Sequence, residues 1–279
     1  MKVFSLNLYD YFGLAHPEGA EGELFCYLPD TSREVNPARR HPAILVLPGG
    51  GYAFTSDREA EPVALQFLAR GYSAFVLRYS VAPACFPTQL REAAMAMAYI
   101  RRNAAELTVD PSMVAAIGFS AGGHLCGTLA TMYDAPELVD IGDGALIRPD
   151  AVCLTYPVTV EHGPTHEGTW QNVSGGDPAV RHRLSLDRLA RPDMPPVYIW
   201  HTRTDAAVPV CNSLTLAQKL DELGVSFSLH IFARGGHGLS LANDLVYPAG
   251  KIPAHSPDIG RWIDETITFF AESGLELKD

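Results

Sequence analysis

The chain has 279 residues, 47% of them apolar and 19% charged, enough apolar material for a sizeable core and unlike a disordered, collagenous or coiled-coil composition. Lysine and arginine number 21 against 32 aspartates and glutamates, a net charge of −11 that repels a phosphate backbone, so nucleic acid is not an expected partner. Length fits one α/β domain over residues 1–279, and no repeat or low-complexity block divides it.

From the N-terminus, residues 1–11 (MKVFSLNLYDY) are interrupted by Asn7 and Asp10 before a signal-type apolar stretch forms. No apolar run approaches the ~20 residues needed to span a bilayer. The expectation is a cytoplasmic protein without membrane attachment. Cys26, Cys85, Cys126, Cys153 and Cys211 are odd in number, scattered and free of CxxC spacing, which points to reduced, buried thiols.

Residues 3–28 read as a β segment that adds antiparallel strands. Short β-rich runs then alternate with helical ones: 43–47 (AILVL), 73–79 (SAFVLRY), 114–119 (VAAIGF), 151–156 (AVCLTY), 197–201 (VYIWH) and 227–232 (FSLHIF). Near-continuous apolar strands suit a sheet covered on both faces. Between them, residues 61–69 carry an apolar face before Gly71, and Leu90, Ala93, Ala94, Met97 and Ile100 recur at helical intervals. Leu216, Leu220 and Leu223 do the same ahead of Gly224, a C-terminal cap, and Pro257 suits the first turn of a last helix bearing Trp262, Ile263 and Ile267. This βαβα rhythm predicts an α/β fold: a mostly parallel twisted sheet of about eight strands with helices on both faces. Residues 161–193 are polar and thinly patterned, and read as a small cap insertion.

The sharpest motif is Gly118-Phe119-Ser120-Ala121-Gly122, a G-x-S-x-G with a strand before it and a helix-compatible run after it. A serine on such a turn exposes its hydroxyl, and the glycines two before and two after it avoid a Cβ between strand and helix. Ser120 is the expected nucleophile. A hydroxyl needs a histidine to take its proton and a carboxylate to hold that histidine. His237, among Gly235, Gly236 and Gly238 after the strand 227–232, is the expected base, and Asp205, after the strand 197–201, the expected acid. The chain order of serine, acid and histidine is the one this architecture uses. His124, four residues after Ser120, reads as packing; Asp177, Asp187 and Asp193 lack a strand-end position. Gly49, Gly50 and Gly51 close the strand 43–47, and the amides of Gly50, Gly51 and Ala121 are the candidate oxyanion hole. The glycines fit neither a P-loop nor a dinucleotide fingerprint.

With LPGGGY (47–52), the stretch 58–81, GFSAGGHL (118–125), TDAAVP (204–209) and GGHG (235–238), the chain resembles an α/β-hydrolase of the esterase and lipase kind over roughly residues 42–270. Within that group it most resembles bacterial esterases related to acetyl-xylan and other carbohydrate esterases, often labelled xylanase-like. The resemblance implies a serine hydrolase that removes a small acyl group from a sugar or other small ester, without metal or organic cofactor. It departs at Pro48, where lipase-type loops carry a histidine. Tyr52, Phe54 and Trp170 are expected at the substrate, Trp170 either under a sugar ring or acyl chain or in packing. His162 and His166, separated by Pro164, read as loop residues and not as metal ligands. Two other readings remain open: a serine peptidase of the prolyl-oligopeptidase type and a hydrolase-fold binder without turnover. The sequence leaves acyl length and the oligomeric state, homodimer included, undetermined.

Overall fold

The computed structural model describes residues 1–275. Among the described residues eight strands form one sheet: β1 (Lys2–Asn7), β2 (Glu23–Leu28), β3 (His41–Leu47), β4 (Ser73–Arg78), β5 (Val109–Phe119), β6 (Val152–Thr155), β7 (Val197–Thr202) and β8 (Phe227–Phe232). Their order across the sheet is β1-β2-β4-β3-β5-β6-β7-β8. The β1–β2 and β2–β4 pairs are antiparallel and every other pair is parallel. The N-terminal segment therefore supplies an antiparallel margin, broken by the short helix Leu8–Phe12, whose first amides are capped by the Asn7 side chain.

Period-two alternation divides the strand residues between two cores. Leu45, Leu47, Ala116, Leu154 and Ile199 face the helices Thr88–Arg102, Ala121–Met132 and Cys211–Leu223. Their neighbours Ile44, Val46, Ala115, Ile117, Cys153 and Trp200 face the helices Glu61–Leu68 and Trp262–Glu272. Trp200 stacks on Trp262 at 5.4 Å, joining β7 to the last helix. Gly224 caps Cys211–Leu223 in the left-handed conformation, as expected (φ 69°). Pro257 differs from expectation: it lies ahead of the helical turn Ile259–Arg261, and the last helix starts only at Trp262. Among the described residues no helix is long and apolar enough to cross a membrane.

Because β3 and β5 to β8 run parallel, the segments after them emerge along one edge of the sheet. That edge collects the glycine loop after β3, the turn after β5, and the loops after β6, β7 and β8. Residues 161–193, between β6 and β7, include the helices Glu167–Ser174, Pro178–Arg183 and Leu186–Leu189.

Candidate active site

Ser120 occupies the turn between β5 and the helix Ala121–Met132 with φ 53° and ψ −115°, a backbone that non-glycine residues rarely adopt. The turn is feasible because strand and helix approach without side chains between them. A Cβ on Gly118 would stand 2.0 Å from the Gly122 carbonyl oxygen, and one on Gly122 would stand 2.1 Å from that of Leu47. The Ser120 amide donates to the Thr155 carbonyl at 3.0 Å, and its own carbonyl accepts from Val158 at 3.2 Å. These bonds pin the turn to β6 and the segment after it.

The structure brings Ser120, His237 and Asp205 together. His237 Nε2 lies 2.7 Å from Ser120 Oγ, and His237 Nδ1 lies 2.6 Å from Asp205 Oδ2. The His237 loop is held against the loop after β7: the Thr202 and Thr204 hydroxyls both donate to the Gly235 carbonyl at 2.9 Å. Asp205 is no helix cap. Its Oδ1 accepts the amides of Ala207 and Val208, both at 2.9 Å, while His201 Nε2 stands 3.4 Å from Oδ2. Burial raises the Asp205 pKa, but the bonds from His201, His237 and the Val208 amide outweigh it, holding the carboxyl well below the usual range. Asp205 thus carries its charge at neutral pH. Of the weaker acids, Asp177 caps the helix Pro178–Arg183, Asp187 accepts from Ser185 and Asp193 pairs with Arg191.

The triple glycine lies beside the serine. Gly50 and Gly51 line the same pocket as Ser120 and His237, and Gly50 has φ 131°. The Gly50 and Gly51 amides have no acceptor among the described residues, and the Ala121 amide, at the first position of its helix, has no intrahelical one. That helix also directs the positive end of its dipole toward the serine. Where Pro48 replaces the histidine of lipase-type loops, two other contacts tether the loop. The Tyr79 hydroxyl donates to the Pro48 carbonyl at 2.5 Å, and the Gly49 amide donates to Glu59 Oε2 at 2.8 Å.

The pocket has a volume of about 380 Å³. Phe54, 60% exposed, lines it. Tyr52 and Trp170 do not: the expectation for Tyr52 is corrected, and of the two readings of Trp170 the structure has packing. Tyr52 turns inward and is fully buried, its hydroxyl 2.9 Å from His124 Nδ1. Trp170 is also fully buried, donating from Nε1 to Thr165 Oγ1 at 3.0 Å and meeting the His124 ring edge-on at 4.9 Å. Each has an internal partner for its polar atom, so burial costs little and gains apolar contact. His124 is the shared partner, with Nε2 2.9 Å from the Leu184 carbonyl; burial lowers its pKa to about 4, so it is neutral packing.

Of the pocket residues to which sequence reasoning gave no role at the substrate, three bear most on its geometry. From the segment between β6 and β7 come His166 and Asn172. His166 accepts the Thr169 amide on Nδ1, leaving Nε2 as its donor, and burial with the nearby His237 lowers its pKa. Asn172 donates to the Gly51 carbonyl at 2.8 Å, a second side-chain tether on the glycine loop besides Glu59. Glu59 itself, 2% exposed, is the third. A buried carboxylate carries no sequence signature, and the polar 161–193 segment has no periodicity to say which side chains turn inward. A larger cleft of about 830 Å³ between β8 and the last helix has His230 bonded to Glu265, with no serine bonded to that histidine among the described residues. Among the described residues no cluster of histidine, cysteine, aspartate and glutamate is arranged to hold a metal.

Known proteins repeat this arrangement of chain. A family described as BD-FAE matches residues 27–152, and the prolyl oligopeptidase family matches residues 91–249. The structure of an acetyl ester-xyloside bifunctional hydrolase from Caldicellulosiruptor lactoaceticus superimposes with a TM-score of 0.77 at 35% identity, covering 91% of this chain and 88% of that one. The chain belongs to the α/β-hydrolases. The chain is also 36% identical over 234 residues to endo-1,4-beta-xylanase B of Butyrivibrio fibrisolvens, covering 79% of this chain and 35% of that protein. It is 27% identical over 270 residues to an acetylxylan esterase of Xylanibacter ruminicola, covering 94% of this chain and 50% of that protein. It thus spans half or less of the length of these two relatives.

Proposed function

We propose that the chain hydrolyses carboxylic esters through Ser120, His237 and Asp205, with small acyl groups on a carbohydrate alcohol as its substrate class. The observation that carries the reading is the continuous hydrogen-bonded line from Asp205 through His237 to the Ser120 hydroxyl, at 2.6 and 2.7 Å. His237 Nε2 takes the proton from Ser120 Oγ as the oxygen attacks the ester carbonyl, and the charged Asp205 holds the proton on Nδ1 and stabilises the imidazolium. The amides of Gly50, Gly51 and Ala121 receive the oxyanion. The imidazolium then protonates the departing alcohol. Water, deprotonated by the same imidazole, cleaves the acyl-enzyme and restores the serine.

The substrate class draws on the pocket and on the relatives. A volume of about 380 Å³ suits a small acyl group and part of its alcohol, and His166 and Asn172 add polar edges to a wall that includes Phe54. The relatives named for acetylxylan and for acetyl ester-xyloside hydrolysis point the same way. The xylanase name is not carried over, since the chain spans 35% of that protein.

Ser120→Ala should fold and lose about three or more orders of magnitude in turnover of p-nitrophenyl acetate. A fluorophosphonate should label Ser120 in the unaltered protein. Full activity in the alanine variant would overturn the assignment of the nucleophile. A panel of acetylated sugars and p-nitrophenyl esters of graded length tests the substrate class, with a steep fall beyond short acyl chains expected. The match to the prolyl oligopeptidase family over residues 91–249 favours a second reading, hydrolysis of peptide bonds. Aminoacyl amides assayed beside acetyl esters separate the two, and faster turnover of the amides would replace the esterase reading.

A further inference from the structure

Glu59 is a buried carboxylate in the pocket wall that the proposed chemistry leaves without a task. It ends the helical turn Asp57–Glu59, and two separate parts of the site meet on it. Its Oε2 accepts the amide of Gly49, the residue just before the proposed oxyanion amides, at 2.8 Å. Its Oε1 accepts the Tyr156 hydroxyl at 2.7 Å. The same hydroxyl accepts the amide of Ser240, on the His237 loop, at 3.0 Å. Because Ser240 donates to the tyrosine oxygen, the tyrosine proton is directed at Glu59, and an ionised carboxylate satisfies both donors.

Further contacts close the arrangement. The Ser240 hydroxyl donates to the Arg58 carbonyl at 2.6 Å, and Trp262 Nε1 donates to the Ser240 carbonyl at 3.0 Å. Tyr156 lies edge-on to the His237 ring at 5.1 Å. Tyr156 and Ser240 both have positive φ, 37° and 51°, a strained backbone that persists where surrounding contacts over-determine it. Such a network, fully satisfied and out of water, is stiff.

We infer that Glu59 is a positioning residue that fixes the glycine loop and the histidine loop relative to one another, so that the oxyanion amides and His237 address the same tetrahedral centre. The inference rests on the roles proposed above for Ser120, His237 and the glycine amides. Glutamine at this position keeps the size but offers one oxygen and one NH2, so either the Gly49 amide or the Tyr156 hydroxyl loses its acceptor. Catalysis falls steeply when donors drift from the oxyanion, whereas ground-state binding depends on them far less.

The experiment begins with fluorophosphonate labelling of the unaltered protein; failure to label Ser120 defeats the serine-hydrolase reading itself and is scored apart from the behaviour of the variants. Glu59→Gln, Tyr156→Phe and the double variant are then compared with p-nitrophenyl acetate, each rate divided by the concentration of sites titrated with the phosphonate. Glu59→Gln is expected to lower kcat by about 10- to 100-fold with KM within about threefold. Tyr156→Phe should lower kcat by a smaller factor, and the double variant should match Glu59→Gln within about twofold, because both act through one carboxylate. A purely structural carboxylate would reduce the melting temperature or the fraction of titratable sites and leave kcat per site within about twofold of the original. That result overturns the inference. Should Glu59→Gln give no folded protein, Tyr156→Phe decides alone: an unchanged kcat per site overturns the inference, and a fall supports it.

Discussion

Asp205→Asn changes one atom of the proposed catalytic line, and the structure dictates how the new side chain must sit. Asp205 Oδ1 accepts two backbone amides, from Ala207 and Val208, at 2.9 Å each, while Oδ2 faces His237 Nδ1 at 2.6 Å. An asparagine has to keep its carbonyl oxygen toward the two amides, since an NH2 group there would face donors. Its NH2 therefore faces Nδ1, which must become an acceptor, and the ring proton moves to Nε2. Nε2, 2.7 Å from Ser120 Oγ, then holds a proton where it needs a lone pair. The expected loss in kcat is about 10⁴-fold, the cost of the wrong tautomer in a serine triad, equivalent to about 5.5 kcal/mol of activation free energy. The Asp205 side chain is fully buried behind the imidazole, so KM should change little. Steady-state turnover of p-nitrophenyl acetate at neutral pH, with unfolding followed in parallel, measures both. A folded variant that retained kcat within about tenfold would refute the tautomer argument and with it the role of Asp205.

The same carboxylate makes stability pH-dependent. Its folded pKa lies below the unfolded value of about 3.9, so its contribution is present above that value and is lost as pH falls toward the depressed folded value. Urea midpoints of the original protein and of Asp205→Asn should consequently converge on acidification below about pH 4; a constant gap down to about pH 2 would contradict this. Gly50→Ala places a Cβ 2.0 Å from the Phe54 carbonyl oxygen at φ 131°, so the loop must move, and kcat per titrated site should fall by about 10²-fold. Activity within about threefold would remove Gly50 from the oxyanion hole. Trp170→Ala, at a fully buried position, should destabilise by about 3–5 kcal/mol with KM for acetyl esters unchanged per folded molecule. A large rise in KM with little loss of stability would return Trp170 to the substrate.

The layer architecture and the line of the proposed catalytic groups are legible in the residues alone. Apolar runs of β length alternating with helical periodicity leave few arrangements besides a covered parallel sheet, and such a sheet puts the segments after β5, β7 and β8 at one edge. Gly118 and Gly122 are legible because the turn around Ser120 has a local steric requirement that only glycine meets. Gly224 is legible for a similar reason, a cap whose conformation is set within a few residues. Which side chains near the glycine loop face the substrate emerges only from the folded chain. Tyr52 turns inward because His124 offers a partner 72 residues along the chain, and Trp170 follows it into the same core. Glu59 joins the site through Gly49, 10 residues away, and Tyr156, 97 residues away. Periodicity and motif spacing report demands met by near neighbours, whereas a buried polar group is stable only where distant segments bring it a donor, and that pairing exists only once the chain has closed on itself.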